Sequence, residues 1–592
     1  MPVAIRTRRP ALIALAAAAL LAAALAVVNP FRATAQAGDP PNVVVILTDD
    51  QALNEMPGLP KTSQWLGGAG VTFKRAYISY PLCCPSRASL LSGQYMHNTG
   101  VRGNAPPFGG WKRFRDLGTE AKALPTWLDA AGYYNVQIGK YMNGYDGDPP
   151  PIPPGWDEWY GKYSEYEDSV TGGRIYFNYR MRQDPPAGGT GVPCPSGGGG
   201  SGAPFTCTYG EDPEDYQTDV LGEMAVDAIE RRAPSSTPFF LNLDFNAPHS
   251  PYIPAPRHDG AYAGVPMPKL PGLNEKNMRD KPRFLRRLPV LGKGKLNTIV
   301  KRRRARYEML LSLDDQIDNV MQALQASGEL ENTYVFFLSD NGYFAGEHRI
   351  RQGKYLPHEQ SSHVPLLVRG PGIPANSSSN ALVSNIDIAP TIAQIAGAAP
   401  TLAQDGRSLL GLATNPGAAS DTRPLLLEGD TGPSIDDDGA ESPIADFDDP
   451  ADRARLKAFY RKLKAQKRKL KARCRKQAAG RKKLAMSCYR AGVRNLDQEP
   501  TDPTYSLKAP AYAGIRTQRY MLTIYATGEI EMYDMPRDPF QTSSLHATPR
   551  FKLVRNWLLE RLAELRDCNA AACRAEIGPE PKPLKKKRKK RP

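Results

Sequence analysis

The apolar positions of the chain fall into short runs that end abruptly on polar or charged residues. Asn42-Val-Val-Val-Ile-Leu-Thr48 is apolar and β-branched throughout, as a parallel strand buried on both faces requires, and it stops at Asp49-Asp50. The same pattern recurs. Asn135-Val-Gln-Ile138 ends at Gly139-Lys140, Pro238 to Asp244 ends at Phe245-Asn-Ala-Pro-His249, and Thr333 to Leu338 ends at Ser339-Asp340-Asn341-Gly342. Pro365 to Val368 is a further strand, closed by Arg369-Gly-Pro-Gly372. Between these runs the period changes to that of a helix, as with Leu313, Ile317, Val320, Met321 and Leu324. Strands alternating with helices predict an α/β fold, a mixed sheet sandwiched by helices. Ligands of such sheets lie beyond the carboxyl ends of the strands, so the polar groups there are candidate site residues.

The rest of the chain is punctuated differently. Residues 185–210 are rich in Gly and Pro and read as a surface loop tied by Cys194 and Cys207. Ile386-Asp-Ile-Ala-Pro-Thr391 starts a helix with Pro390 near its first turn. After Glu428 the composition shifts: residues 436–452 are acidic, and 453–494 are crowded with Lys and Arg like a charged helical hairpin. Alternation then returns. Arg519 to Tyr525, a turn at Thr527-Gly528 and Glu529 to Tyr533 form a hairpin, and an amphipathic helix follows over Phe551 to Leu565. The predicted organisation is a signal segment at 1–37, a catalytic domain at 38–430, and an acidic then basic helical insert at 431–500. A smaller C-terminal antiparallel sheet plus helix at 501–575 and a basic tail at 576–592 complete it.

Composition sharpens this outline. The 592 residues carry a formal net charge of +16, which suits a polyanionic partner without naming it. Arg6, Arg8 and Arg9 precede an alanine-dominated apolar run over 11–28, and Ala33-Thr-Ala35 and Ala35-Gln-Ala37 offer small-x-small cleavage sites. An uncleaved signal anchor is the alternative, since the run is about long enough to cross a bilayer. Thr7-Arg8-Arg9 before Leu12-Ile13 also fits a twin-arginine signal, which exports folded proteins. The expectation is a secreted, periplasmic or cell-surface protein with no stable membrane span after cleavage and no nucleic-acid partner.

The candidate nucleophile lies in Pro81-Leu-Cys-Cys-Pro-Ser-Arg-Ala-Ser-Leu-Leu-Ser-Gly93. Pro85 fixes a turn, and a helix over Ser86 to Leu91 closed by Gly93 puts Cys83 just before its N-terminus, where an anion is favoured. Arg87 adds a planar permanent cation. A buried structural cysteine beside a surface arginine would suit the same residues. With Cys83 and its neighbour Cys84 set aside, the other cysteines fall into near pairs, 194 with 207, 474 with 488, and 568 with 573. Three disulfides are expected, with a zinc site as the alternative.

Cys83-x-Pro85-Ser86-Arg87, then Leu91-x-Gly93, resembles the signature of the type I sulfatases. The continuation Gly93-Gln-Tyr-Met-His-Asn98 is most similar to the N-acetylglucosamine-6-sulfatase branch and the heparan-sulfate 6-O-endosulfatases, and the likeness covers roughly 40–430. The resemblance implies an alkaline-phosphatase-like core and conversion of Cys83 to formylglycine by a formylglycine-generating enzyme. The aldehyde hydrate then attacks sulfate-ester sulfur. It implies one divalent cation, Ca²⁺ (or Mg²⁺), held by Asp49, Asp50, Asp340 and Asn341 and touching residue 83; hard oxygen donors suit such an ion. It places Arg87 on the hydrated aldehyde and Lys140, His249 and Lys354 near the sulfate, with His249 as general acid. Each group also has a plainer reading, a turn or helix cap for Asp49-Asp50, an Asx turn for Asp340-Asn341 and a packing role for His249. Many sulfatases have a histidine where Met142 stands; Gly139-Lys-Tyr-x-Asn143 follows the glucosamine-6-sulfatase branch instead. His358 replaces that branch's tyrosine before Glu359, and His348, His358 and His363 are candidates for the mouth of the site.

The function expected from the resemblance is hydrolysis of sulfate from sulfated carbohydrate, such as 6-O-sulfated glucosamine in a heparan-sulfate-like polyanion. Two alternatives are a phosphoester or phosphonate hydrolase on the same fold, and an inactive sulfatase-like protein that holds polyanions through its basic segments.

Overall fold

The computed structural model describes residues 40–145, 149–163, 175–186, 192, 194–196, 204–418, 422–430, 472 and 509–585. The strands in chain order are β1 (Asn42–Thr48), β2 (Val71–Phe73), β3 (Ala76–Tyr77), β4 (Tyr134–Gly139), β5 (Glu158–Lys162), β6 (Arg180–Asp184), β7 (Phe205–Thr208), β8 (Phe239–Asp244), β9 (Thr333–Ser339), β10 (His363–Val364), β11 (Leu366–Arg369), β12 (Ser377–Ser379), β13 (Val383–Ser384), β14 (Leu425–Gly429), β15 (Tyr512–Arg516), β16 (Tyr520–Tyr525) and β17 (Ile530–Asp534). Ten of them form one sheet in the order β12-β2-β11-β9-β1-β8-β4-β5-β6-β7. Its centre, β9-β1-β8-β4-β5, is parallel. Antiparallel strands flank that centre, with β11 against β9 on one side and β6 against β5 on the other. This is the mixed sheet the strand–helix alternation predicts.

β1, β8 and β9 are buried along their whole length, which is why their sequences are largely apolar on both faces. One core packs Val43, Val45 and Leu47 with Trp127, Phe240 and Phe336; the other packs Val44 and Ile46 with Leu241, Leu313, Ile317 and Phe337. Register then fixes where the polar ends fall. Leu47 lies opposite Asp244, Gly139 opposite Asp244, and Thr48 opposite Ser339. The next residues, Asp49, Lys140, Phe245 and Asp340, therefore leave the sheet side by side. Gly139 adopts φ 97°, and a Cβ there would meet the Asp244 carbonyl oxygen at 2.0 Å, so only glycine lets β4 deliver Lys140 at this spot.

Three readings change in detail. The helix that carries Cys83 spans Cys83–Ser92, so Cys83 stands in its first turn, after the N-cap Leu82. Pro85 is tolerated because the first turn has no intrahelical N–H to lose, and Gly93 closes the helix in the left-handed conformation at φ 70°. The helix expected over Leu313 to Leu324 runs from Lys293 to Ala326; its first half carries Lys and Arg, good helix formers that show no apolar stripe. Residues 185–210 are not all loop, because Phe205–Thr208 pairs with β6 as the sheet's edge strand. Cys194–Cys207 ties that edge, and Cys568–Cys573 is the second disulfide. Bonded sulfurs rule out zinc at these two pairs. Cys474 and Cys488, the signal segment and nearly all of the acidic and basic insert lie outside the described residues. No helix among the described residues is long and apolar enough to cross a membrane.

The C-terminal sheet, β14-β15-β16-β17, is antiparallel, and the helix Lys552–Arg566 packs on it through Val554, Leu558 and Leu562. Its first strand comes from before the charged insert, so residues 425–429 and 512–534 build one sheet. Residues 576–585 lie against the body, where Ile577 N–H and Leu584 N–H donate to the Thr422 and Arg550 carbonyls. The sheet is docked to the main body by buried polar pairs. Arg516 donates to the Tyr77 hydroxyl (3.0 Å), which in turn donates to Glu359. His97 Nδ1 faces Glu428 Oε2 at 3.0 Å, and Nε2 faces the Cys568 carbonyl at 2.8 Å.

His97 generates a pH prediction. Burial alone would lower its pKa, but the Glu428 carboxylate and the Cys568 carbonyl raise it to about 9. The raised pKa means that the contact's contribution is complete below the unfolded value of about 6.5 and is lost as pH rises through about 9. His97→Gln should therefore cost up to about 3 kcal/mol at pH 6 and almost nothing at pH 10. Urea unfolding at both pH values checks this, and an equal loss at both would refute it.

Candidate active site

The four central strand ends and the Cys83 helix meet in one dry cluster. Cys83 Sγ is 2.8 Å from Lys354 Nζ and 3.5 Å from Asp49 Oδ1. Lys354 Nζ also bonds Asp50 Oδ1 at 2.6 Å, and Lys140 Nζ pairs with Asp49 Oδ2. Asn341 Nδ2 donates to Asp50 Oδ1 at 2.7 Å, and the Asp50 N–H donates to Asp340 Oδ1 at 3.2 Å. His249 Nε2 lies 3.8 Å from Asp50 Oδ2. Its Nδ1 is 2.6 Å from the Ser250 carbonyl, which can only accept, so Nδ1 carries a proton and Nε2 is the nitrogen turned to the cluster.

Arg87 does not sit on the surface. It is buried, with Nε on Asp340 Oδ2 (2.9 Å), Nη1 on the Lys140 carbonyl (2.7 Å) and Nη1 3.6 Å from Asp244 Oδ1. Its Nη2 has no hydrogen-bond partner among the described residues. From the strand ends, Asp49, Asp50, Lys140, His249, Asp340 and Asn341 thus stand together with Cys83, Arg87 and Lys354. Met142, by contrast, packs into the hydrophobic core. His348 pairs with Glu275 (2.7 Å), His358 faces Glu531 (3.4 Å), and His363 pairs with Glu359 (2.8 Å). Among the described residues, none of these three histidines contacts the strand-end cluster.

The electrostatics follow from burial in close quarters. Burial pushes the Asp49 carboxyl up, yet Lys140, His249, Lys354 and Arg87 together hold it well below the usual carboxylate range. Burial and the Asp49 charge raise Asp340 to about 6 against the pull of Arg87, and burial raises Asp244 to about 7. Burial, with Asp49 beside it, also pushes the Cys83 thiol well above its ordinary value. The cluster could hold a metal ion. Ligand atoms of Asp49, Asp50, Cys83 and His249 lie within 4.8 Å of one another, and Asn341 Oδ1 is buried with no hydrogen-bond partner among the described residues.

Sequence reasoning passed over two residues. Asp244, the last residue of β8, takes hydrogen bonds from Gln137 and Asn242, both 2.8 Å, and faces Arg87. Arg306 is buried beside Asp50 and donates to its carbonyl at 2.6 Å. A signal for Arg306 existed: it precedes Leu310 by four positions and Leu313 by seven, and so lies on the apolar face of its helix.

Comparison with known proteins identifies the family. The sequence is 33% identical over 377 residues to a putative extracellular sulfatase Sulf-1 homolog of Caenorhabditis elegans, covering 63% of this chain and 49% of that one. It is 34% identical over 387 residues to the N-acetylglucosamine-6-sulfatase of Homo sapiens, covering 62% and 64%. The chain thus spans between about half and just under two thirds of the length of these relatives. Among solved structures, BT4656 in complex with its substrate D-glucosamine-2-N,6-O-disulfate superposes with a TM-score of 0.62. The match has 20% identity and covers 89% of this chain and 97% of that one, a likeness of fold. The sulfatase family's sequence model matches residues 41–398, from β1 through the helix Ile388–Ala396, and the chain belongs to the sulfatase family.

Proposed function

We propose that the protein is a sulfuric ester hydrolase that removes sulfate from sulfated carbohydrate, with residue 83 acting as formylglycine beside one Ca²⁺ or Mg²⁺. The observation that carries the reading is the surrounding of Cys83 Sγ, with Lys354 at 2.8 Å and Asp49 at 3.5 Å in a helix's first turn. A buried thiol next to a carboxylate is poorly placed to ionise, so an unmodified cysteine makes a poor nucleophile here. When present, the formylglycine hydrate supplies the hydroxyl that attacks sulfur, and the cation supplies Lewis acidity at the sulfate oxygens. Asp49, Asp50, Asp340 and Asn341 would hold that cation.

The other residues then have definite tasks. Lys140 and Lys354, paired with Asp49 and Asp50, stabilise negative charge as it moves onto the sulfate oxygens. Arg87 joins the strand ends after β4 and β9 and keeps Nη2 as a buried donor with no hydrogen-bond partner among the described residues. His249, protonated at Nε2 next to Asp50, hands that proton to the departing sugar oxygen, while the Ser250 carbonyl keeps the ring oriented. Burial of the whole cluster keeps bulk water away from it and strengthens each interaction.

The name N-acetylglucosamine-6-sulfatase of a relative supports 6-sulfated glucosamine as the substrate type, and the net charge of +16 suits a polyanion that carries it. The Arg- and Ala-rich start supports export, with conversion of Cys83 by a formylglycine-generating enzyme during maturation.

Cys83→Ala should abolish aryl-sulfate turnover, a loss beyond about 10⁴-fold, and the wild-type tryptic peptide should carry an aldehyde at residue 83 by mass spectrometry. Full activity in Cys83→Ala, or faster hydrolysis of aryl phosphonates than of aryl sulfates by the wild type, would overturn the reading. Asp340→Ala should weaken Ca²⁺ binding at least about tenfold and lose turnover with it, as checked by calorimetry and by chelator treatment of the wild type. Stoichiometric zinc in the purified enzyme, without calcium or magnesium, would contradict the cation assignment.

A further inference from the structure

We propose that Arg306 is a positioning residue of this site, one guanidinium that fixes the Asp50 and His249 segments relative to each other. The proposal rests on the reading of the site given above. Arg306 is buried on the helix Lys293–Ala326. Its Nε and Nη2 each lie 2.6 Å from an oxygen of Glu55, a planar fork on a carboxylate. The donors left over do not serve that ion pair. Nη2 also donates to the Asp50 carbonyl at 2.6 Å, and Nη1 donates to the Pro248 carbonyl at 3.1 Å.

Those two carbonyls belong to the segments that carry the chemistry. Asp50 adopts φ 65°, left-handed backbone that a non-glycine residue holds only when its surroundings impose it. The direction of its peptide decides where its carboxylate points, here to Lys354 and Asn341. Pro248 immediately precedes His249. The same guanidinium lies over the Tyr343 ring, 4.6 Å from its centre, and Tyr343 follows Asn341 by two residues. Tyr252, hydroxyl to hydroxyl with Tyr343 at 2.7 Å, closes the box. Arg306 therefore touches the chain beyond β1, β8 and β9. Lysine could pair with Glu55 but has no rigid fork to reach both carbonyls as well.

The test compares wild type, Arg306→Lys and Glu55→Gln as full-length proteins. A positioning role predicts a cooperatively folded Arg306→Lys whose kcat on an aryl sulfate falls roughly 10–100-fold with KM little changed. Its Ca²⁺ Kd, measured with the metal alone, should weaken by a similar factor. Amide hydrogen exchange should rise in residues 48–52 and 245–250 and stay unchanged in 313–324. A purely structural ion pair would instead lower the melting temperature and leave kcat, Ca²⁺ Kd and local exchange as in wild type, which overturns the proposal. Should Arg306→Lys fail to fold, Glu55→Gln keeps the anchor's shape without its charge, and unchanged values on the same three measures overturn it equally. A wild type that binds Ca²⁺ yet hydrolyses no sulfate ester refutes the function alone; the Ca²⁺ Kd and the exchange rates then still decide on Arg306. A change in exchange alone, with the Ca²⁺ Kd as in wild type, overturns the proposal.

Discussion

Five carboxylates, Asp49, Asp50, Glu55, Asp244 and Asp340, are packed against four cations, Arg87, Lys140, Arg306 and Lys354, in a volume almost closed to water. Each such ion costs several kcal/mol to bury, and the cost is offset only if its partners are held at bonding distance. Every feature of the site follows from that constraint. The sheet supplies rigidity through strands buried on both faces, and its register brings the charges side by side. The two arginines then act as staples. Arg87 joins the ends of β4, β8 and β9 through Lys140, Asp244 and Asp340, and Arg306 joins those of β1, β8 and β9 through Asp50, Pro248 and Tyr343. Arginine suits this task because it stays charged and presents several donors in one plane. Burial raises Asp340 to about 6 and Asp244 to about 7, each against the pull of Arg87.

The legible parts of the sequence were those where local pattern and tertiary role coincide. A strand buried on both faces must be apolar at every position, so β1, β8 and β9 could be read directly, and their polar ends marked the site. The hidden parts were those where the two diverge. Phe205–Thr208 is a short edge strand inside a Gly- and Pro-rich stretch, held by pairing with β6 and a disulfide rather than by its own propensity. The first half of the long helix has no apolar stripe to announce it, because much of it faces solvent. Arg306 was obscured by the basic run before it, although its helical phase placed it inside. Asp244 looked like an ordinary strand end, since only the fold places it against Arg87. The histidines 348, 358 and 363 look like site residues by type, and only their acidic partners assign them to other contacts.

Burial of the nucleophile segment has a consequence for how the protein matures. Every residue of Cys83–Ser92 is buried, and the helix is held from outside by Asn385, which donates to the Ser86 carbonyl at 3.1 Å and accepts from the Ser79 N–H at 3.0 Å. The Cys84 N–H donates to Asn104 at 2.9 Å. Asn385 comes from some 300 residues further along the chain, so this lock closes only once most of the catalytic domain is assembled. A modifying enzyme must enclose the cysteine it converts, and in the folded protein it would find no surface of Cys83 to enclose. On the proposed function, conversion of Cys83 to formylglycine would therefore precede folding. Export of a folded protein, as a twin-arginine signal would direct, then places that step on the inner side of the membrane. Export of an unfolded chain would leave it open to either side. If residue 83 is converted as proposed, the closure that buries Cys83 with Lys140 and Lys354 would set the order of events: modification first, folding around it afterwards.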